Sequence, residues 1–332
     1  MFSSVDEREV GGSAAAVILE DEDDRDFAER ARTAVEAVLS GVQDVVIEEL
    51  KEPSSSSEWN YCCNAAECSI GTERLAVYRR LLENGSLHHR FDEDVHAGMR
   101  LGRNLWLDAR SLAYMVENDV AAMSKPLVDQ DWERMIPILD QGELGSCTGN
   151  AGTGALGTQP FYQATGRNVL TAADDEQLCE KFAVMLYSDA SRIDPYPGSY
   201  PPSDTGSSGL AICKVLASRG TIRGYHWARS ADGFLALLQA GPVLQGMPWY
   251  TSFFHPDSAG FIDADPHWSS SGVAGGHEVE AVGVELNTSD VLDSVILYAN
   301  SWGSSWGDSG RFRMRLRTYE QLSGVDLKQF AL

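Results

Sequence analysis

The order of the apolar patterns along the chain most constrains its fold. Apolar residues recur at helical spacing over 175–192, over 210–219 and after a predicted N-cap at Ser230. Strand-like runs follow at 243–247, 277–285, 291–299 and 310–317. Strands and helices do not alternate, which argues against a parallel sheet of βαβ units. The sequence therefore predicts an α+β fold with a helical subdomain and a β-rich subdomain.

The first hundred residues differ from the rest in composition and in the periodicity of their apolar residues. We predict an acidic, disordered tail over 1–24, because this stretch lacks periodicity and ends in the run EDEDDRD. Residues 25–95 show helical spacing around the loop PSSSSE, and we interpret them as a small helical region of unknown role. A third segment, 100–332, carries the patterns described above.

Charge and hydropathy exclude some classes of partner. The chain of 332 residues has a formal net charge of −23, which disfavours binding to nucleic acid or to an anionic membrane. No apolar run approaches the roughly 18 residues of a membrane span, and no basic stretch precedes AAAVIL as a signal peptide requires. We therefore expect a cytoplasmic protein, with association with a virion as the alternative.

The six cysteines do not form an obvious disulfide or zinc pattern. If Cys147 is reserved for chemistry, five remain, and an odd number argues against a complete disulfide framework. Cys62, Cys63 and Cys68 precede His88 and His89, but they lack the paired Cys-x2-Cys spacing of zinc sites. We expect packed thiols there, no metal site and no cofactor.

Three short segments, far apart in the sequence, carry residues suited to thiol chemistry: QGELGSC (141–147), GGHEVEAVG (275–283) and YANSWGSSWGDSGRFRM (298–314). Cys147 would begin a helix, whose N-terminus lowers a thiol pKa. His277 would act as base and acid, and the amide oxygen of Asn300 would orient its ring. The side-chain amide of Gln141 would donate to an oxyanion.

The three segments resemble those of the papain/cathepsin family of cysteine proteases. That family has Gln-x5-Cys, a Gly-His strand start, Asn-Ser-Trp-Gly and Trp-Gly-x-x-Gly-x-Phe-x-Met, and this chain matches each in order. The separations, 277 − 147 = 130 and 300 − 147 = 153, agree with the spacing of the family. The resemblance covers about residues 100–320, and LDQGELGSCTGNA is most similar to a bacterial and phage-type branch.

The resemblance implies a papain-like two-subdomain fold with the active-site cleft between the subdomains. It also implies that Cys147 is the nucleophile, His277 the general acid and base, Asn300 the orienting residue and Gln141 the oxyanion donor. Around this core the chain departs from the family, with Leu144 in place of a cysteine and Thr148 in place of an aromatic residue.

Candidate substrate-binding residues follow from the same resemblance. The family binds the substrate backbone with a Gly-Gly pair where this chain has Ser207 and Ser208. Gly246 and Trp302 are further candidates at the border of the cleft. Glu278 and Glu280 alternate with apolar residues after His277, and we expect them on a solvated strand face, although Glu278 is a candidate for tuning His277.

The predicted function is hydrolysis of a peptide or isopeptide bond through a thioester on Cys147, with a protein or peptide as substrate. One alternative is an acyltransferase that uses the same residues. Another is a non-catalytic structural or binding protein on the same scaffold. A third is that residues 1–95 form the functional module and bind a protein partner.

Overall fold

The computed structural model describes residues 84–93, 96, 98–228, 230–322 and 327–331. The predicted acidic tail, nearly all of the predicted helical region and Cys62, Cys63 and Cys68 lie outside the described residues. None of the described helices is both long and apolar enough to cross a membrane.

Antiparallel β-structure dominates the second half of the described chain. The strands are β1 (Ser86–His89), β2 (Leu105–Asp108), β3 (Gln130–Asp131), β4 (Gly224–Ala228), β5 (Val243–Tyr250), β6 (Val273–Glu285), β7 (Val295–Ala299), β8 (Arg311–Arg315) and β9 (Leu327–Ala331). β1 and β2 form a hairpin. The remaining strands form one sheet in the order β4-β9-β5-β6-β7-β8, with β3 paired to β6.

The helices lie mainly before the sheet. They are α1 (Val120–Met123), α2 (Cys147–Leu156), α3 (Arg167–Val169), α4 (Glu176–Ile193), α5 (Gly209–Ser218), α6 (Ala231–Leu238) and α7 (Leu316–Gln321). The predicted helices over 175–192 and 210–219 correspond to α4 and α5 within one residue. Ser230 caps α6 by accepting a hydrogen bond from the Gly233 N–H, as predicted.

Two buried apolar clusters correspond to the two predicted subdomains. One is formed largely by α2, α4 and α5, and the other by α6 and the sheet strands β5 to β8. Every residue of α2 is buried, and a side chain at Gly149 would collide with the Ala183 carbonyl of α4. Glycine therefore allows the two helices to approach closely, and α2 lies between α4 and β6. The α+β architecture predicted from the sequence is confirmed.

Several expectations about the strands change. The run predicted over 291–299 begins with a 3-10 helix at Val291–Asp293, and the last two residues of the run predicted over 310–317 belong to α7. His277 does not begin its strand, because β6 starts four residues earlier at Val273 and already includes the Gly275-Gly276 pair. In addition, the predicted helical region does not extend through 86–89, which form β1. In β1 exposed and half-buried residues alternate, as the two faces of a strand require.

The β1–β2 hairpin leads the chain across the face of the molecule that carries His277. Residues 98–104, which we call the cleft segment, form the last part of the connection between β1 and β2. The Arg103 N–H donates to the Gly276 carbonyl (2.9 Å), and Arg103 forms a parallel bridge with Ser207. The segment therefore joins residues of both subdomains.

Candidate active site

Cys147 lies where the sequence predicts it, at the first position of α2. Its side chain is fully buried, and its sulfur accepts a hydrogen bond from the backbone N–H of Glu278. Because Glu278 follows His277 directly in β6, the thiol of the helical subdomain meets the imidazole strand of the β subdomain. Cys179 and Cys213 are also buried free thiols.

His277 and Asn300 are joined by a hydrogen bond of 2.7 Å between Nε2 and Oδ1. Asn300 Oδ1 also accepts from the Ser301 N–H, which fixes it as the oxygen of the amide. Since that oxygen only accepts, Nε2 carries the proton and Nδ1 is left as the basic nitrogen. Nδ1 has no hydrogen-bond partner among the described residues, so its lone pair can accept a proton.

Aromatic rings surround the imidazole and keep water from the His277–Asn300 bond. The Trp302 ring stacks on His277 with centroids 4.6 Å apart, and the Trp249 ring meets it edge-on at 4.8 Å. Trp306 and Phe254 pack in turn against Trp302. Such packing holds the imidazole in one orientation.

Gln141 brings its side-chain amide to a peptide carbonyl. Its Nε2 donates to the Leu101 carbonyl of the cleft segment (3.0 Å) and to the Leu144 carbonyl (2.8 Å). Ser301 donates to its Oε1 and fixes the amide orientation. The predicted oxyanion donor is thus oriented by a neighbour of Asn300 and already bound to a carbonyl oxygen.

The cleft between the subdomains is occupied by the chain itself. Ser207 donates its N–H to the Gly102 carbonyl (2.9 Å) and accepts from the Asn104 N–H (2.6 Å). A side chain at Gly276 would collide with the Arg103 carbonyl, so the segment lies directly against the residue before His277. The cleft segment therefore covers the Gly275-Gly276 pair that precedes His277.

Charged and polar groups hold the cleft segment in place. Arg100 forms a salt bridge of 3.1 Å with Asp204, which also accepts from the N–H of Gly145, two residues before Cys147. Glu93 accepts from the Leu101 N–H (2.8 Å), and the Trp302 indole N–H donates to the Arg100 carbonyl (2.9 Å). The contacts reach both sides of the cleft.

The closed cleft suppresses ionisation of the thiol and of the imidazole. Burial raises the pKa of the Cys147 thiol well above its ordinary value, an effect that the Glu278 N–H partly opposes. Burial lowers the pKa of His277 to about 4, although its hydrogen bond to Asn300 acts in the opposite direction. Both groups are therefore neutral at pH 7, which is the unreactive form of a thiol–imidazole pair.

The four candidate substrate-binding residues have different surroundings. Ser207 binds the cleft segment through its backbone, while its hydroxyl donates to Asp194. Ser208 is the N-cap of α5, so its side chain is engaged in the helix. Trp302 contacts both His277 and the cleft segment. Gly246 lies on β5 and pairs with Glu278 of β6 within the sheet.

Sequence reasoning missed two buried ionic pairs. Glu278 and Glu280 are each 1% exposed, so the predicted solvated strand face is wrong. Glu280 forms a salt bridge with Arg134, and Glu278 lies 3.8 Å from the Nε of Arg103, measured from Oε2. Their alternation with valine and alanine gave no sign of burial, because it does not show that α2 and the cleft segment cover this face.

The described residues include no group of three or more potential metal ligands. The candidate site itself is formed by Cys147, His277, Asn300 and Gln141. It offers a thiol at a helix start, an imidazole with a basic nitrogen, an amide that orients the ring and an amide that donates to a carbonyl.

Comparison with known proteins adds independent observations. A sequence model described as "Papain family cysteine protease" matches residues 207–329, which include His277 and Asn300. Oryzain gamma chain of Oryza sativa subsp. japonica is 28% identical over 228 residues, covering 60% of this chain and 57% of the relative. A cathepsin L-like peptidase of Aedes aegypti is 29% identical over 203 residues, covering 55% and 57%. The chain thus spans little more than half the length of these relatives.

Among solved structures, xylellain, a cysteine protease from Xylella fastidiosa, superposes with a TM-score of 0.45 at 16% identity. The match covers 73% of this chain and 95% of that chain.

Proposed function

We infer from the family match and the curated relatives that this chain belongs to the papain family of cysteine proteases. We propose that it is a cysteine peptidase that hydrolyses peptide bonds through a thioester on Cys147. One observation carries the proposal. The cleft beside Cys147 holds an extended peptide, with a carbonyl on Gln141 and backbone bonds to Ser207 and Gly276.

The proposed reaction uses each residue at its observed place. His277 Nδ1 takes the proton of the Cys147 thiol, and the thiolate attacks the scissile carbonyl. The Gln141 amide and the Cys147 backbone N–H donate to the oxyanion that forms. His277 then protonates the leaving amine, which leaves a thioester. Water, activated by His277, hydrolyses the thioester and restores the thiol.

We propose that the closed cleft is the inactive state of this enzyme. We propose that the cleft segment must leave before a substrate binds, because it occupies Gln141, Ser207 and Gly276 together. Its departure would admit water to the cleft and allow the thiolate and imidazolium to form.

A covalent probe tests the proposal. We expect a peptidyl epoxysuccinate to add once to the full-length chain, slowly in the wild type and faster in Gly102→Ala. Gly102 has φ +112° and a side chain there would meet the Gly145 carbonyl at 2.2 Å, so this change displaces the cleft segment. Intact mass should show no adduct in Cys147→Ala and a slowed adduct in His277→Ala.

Hydrolysis distinguishes the peptidase from its alternatives. Gly102→Ala should release amines from a fluorogenic peptide mixture, and added amine should not divert the acyl product. Diversion to the amine would favour the acyltransferase. A folded Gly102→Ala protein without adduct or turnover would contradict the proposal and favour the binding protein.

Three finer statements stay proposals. The bacterial or phage-type branch is supported by the segment LDQGELGSCTGNA alone. The cytoplasmic location and a protein partner for the N-terminal region are supported by sequence composition.

A further inference from the structure

We propose that the cleft contains a subsite for an arginine side chain, built on the buried carboxylate of Glu278. Arg103 fills this subsite in the structure, and the enzyme selects peptide substrates that place an arginine there. This inference rests on the proposed peptidase function and names its substrate class.

The first step is the burial of both charges. The Arg103 side chain is 3% exposed and the Glu278 side chain is fully buried, with Nε and Oε2 separated by 3.8 Å. Burying an ionised group away from an opposite charge is strongly unfavourable. Arg103 supplies a cation to this carboxylate. Burial lowers the pKa of the guanidinium, and the Glu278 charge in turn raises it.

The second step is the wall of the subsite. A side chain built at Gly209 would meet Glu278 Oε1 at 2.2 Å, so the carboxylate lies against the first residue of α5. The N-terminus of this ten-residue helix favours a negative charge. The carboxylate therefore extends from β6 of one subdomain to the start of α5 in the other.

The third step is the position of the subsite relative to the reacting thiol. The backbone N–H of Glu278 donates to the Cys147 sulfur. One residue therefore carries both the selecting carboxylate and a contact with the nucleophile. The backbone of Arg103 is bound by Gly276 and is flanked by the two hydrogen bonds to Ser207. A substrate that uses these backbone partners directs one side chain toward Glu278.

A substrate arginine can take the place of Arg103 at Glu278. When the cleft segment leaves, Arg103 leaves with it, while Glu278 stays in β6. A substrate arginine replaces the lost guanidinium, whereas a neutral side chain brings no positive charge to the carboxylate. The planar guanidinium also suits a carboxylate better than other cations do.

The test uses the full-length Gly102→Ala chain, in which the cleft segment is displaced. Fluorogenic peptides carry a single arginine, or its neutral isostere citrulline, at each of the three residues before the scissile bond. We expect arginine to raise kcat/KM over citrulline by about 10- to 100-fold at one position. Adding Glu278→Gln should reduce that ratio to near one.

Glu93→Gln is the matched control in the same background. The negative charge of Glu93 also raises the pKa of the Cys147 thiol. The Glu93 carboxylate accepts a hydrogen bond from the Leu101 N–H and so acts at a different place in the cleft. We expect Glu93→Gln to keep the arginine preference. Equal loss in both variants would assign the preference to the general negative charge of the cleft and would overturn the subsite.

A binding measurement separates this inference from the proposed function. The labelled peptide GMRLGRNLW, residues 98–106, is compared with the same peptide carrying citrulline at 103, on Cys147→Ala/Gly102→Ala protein by fluorescence polarisation. Tighter binding of the arginine peptide, lost with Glu278→Gln, supports the subsite even without turnover. Turnover of peptides with equal arginine and citrulline rates, together with equal binding, overturns the subsite and leaves the peptidase standing.

Discussion

Two glutamates on the same face of β6 have nearly identical burial but different partners. Glu280 pairs with Arg134, whose guanidinium also donates to the Pro137 carbonyl, and a side chain at Gly154 of α2 would collide with the Glu280 carboxylate. Glu278 pairs with Arg103 of the cleft segment. The first pair ties helix to sheet within the core, and the second joins the sheet to an occupant of the cleft.

The location of the partner decides whether a buried carboxylate stabilises the core or one state of the cleft. Burial raises the pKa of Glu280 and the Arg134 charge opposes this, in a pair that cannot separate without unfolding. Burial lowers the pKa of Arg103, and Glu278 is the main group that opposes it. That pair can separate when the cleft segment leaves, so it stabilises a state of the cleft.

The largest difference is expected in stability. Glu280→Gln should lower the free energy of unfolding by about 3–5 kcal/mol, because it leaves Arg134 buried without its counter-charge. Glu278→Gln should lower it by no more than about 1 kcal/mol, because Arg103 can move to water with the cleft segment. Urea unfolding of the full-length chain, followed by tryptophan fluorescence, measures both.

The double variant Arg134→Met/Glu280→Met is the control for this prediction. It removes both charges together and should recover much of the loss. Equal destabilisation by Glu278→Gln and Glu280→Gln would contradict the distinction between a fixed pair and an exchangeable one.

A second prediction concerns pH. The pKa of His277 is about 4 in the closed cleft, below its ordinary value of 6.5. In Cys147→Ala, which has no thiol proton to pass to the imidazole, opening admits water and raises this pKa again, so opening takes up a proton between these values. The closed state is most favoured above pH 6.5 and loses that advantage as pH falls toward 4. We expect at least about tenfold more opening at pH 5 than at pH 7.

Hydrogen exchange of residues 98–104, corrected for intrinsic rates, measures this opening. The Glu280 region of β6 serves as the internal reference, because its pair does not open with the cleft. His277→Gln removes the titrating group and should flatten the pH dependence. An exchange rate in Cys147→Ala that does not change between pH 7 and 5 would show that His277 stays dry when the segment leaves.

The smallest effect is expected from Trp302→Phe. Phenylalanine keeps a ring against His277 but loses the indole N–H that donates to the Arg100 carbonyl. The loss of about 1 kcal/mol should speed epoxysuccinate addition to Cys147 roughly fivefold. Trp306→Phe is the matched control, since its indole N–H donates to the Phe254 carbonyl instead. Equal acceleration in both variants would assign the effect to the aromatic cluster.

Much of the site could be predicted from short sequence segments. Cys147 at a helix start, His277 beside a glycine pair and Asn300 after a strand each carry a local signal, and the structure brings His277 and Asn300 together. Gln141 was also predicted as a donor, and it donates to a peptide carbonyl. These features depend on local chemistry and order, which a linear sequence displays.

Arg103 and Glu278 could not be found in the same way. Arg103 precedes Glu278 by 175 residues and lies outside the three segments, whereas Glu278 lies within GGHEVEAVG but is predicted from the sequence on a solvated strand face. The alternation HEVEAV predicts one apolar and one polar strand face, which is correct only when one face meets water. Here both faces of β6 are covered.

The sequence by itself determined the α+β class, the helix starts and the residues capable of thiol chemistry, because periodicity and capping are local properties. Only the tertiary structure decided that the cleft is occupied, that Cys147 and His277 are neutral and that Glu278 faces an arginine. Burial sets pKa values and the cost of an unpaired charge. Burial depends on which distant segments pack together, and local sequence patterns do not record that.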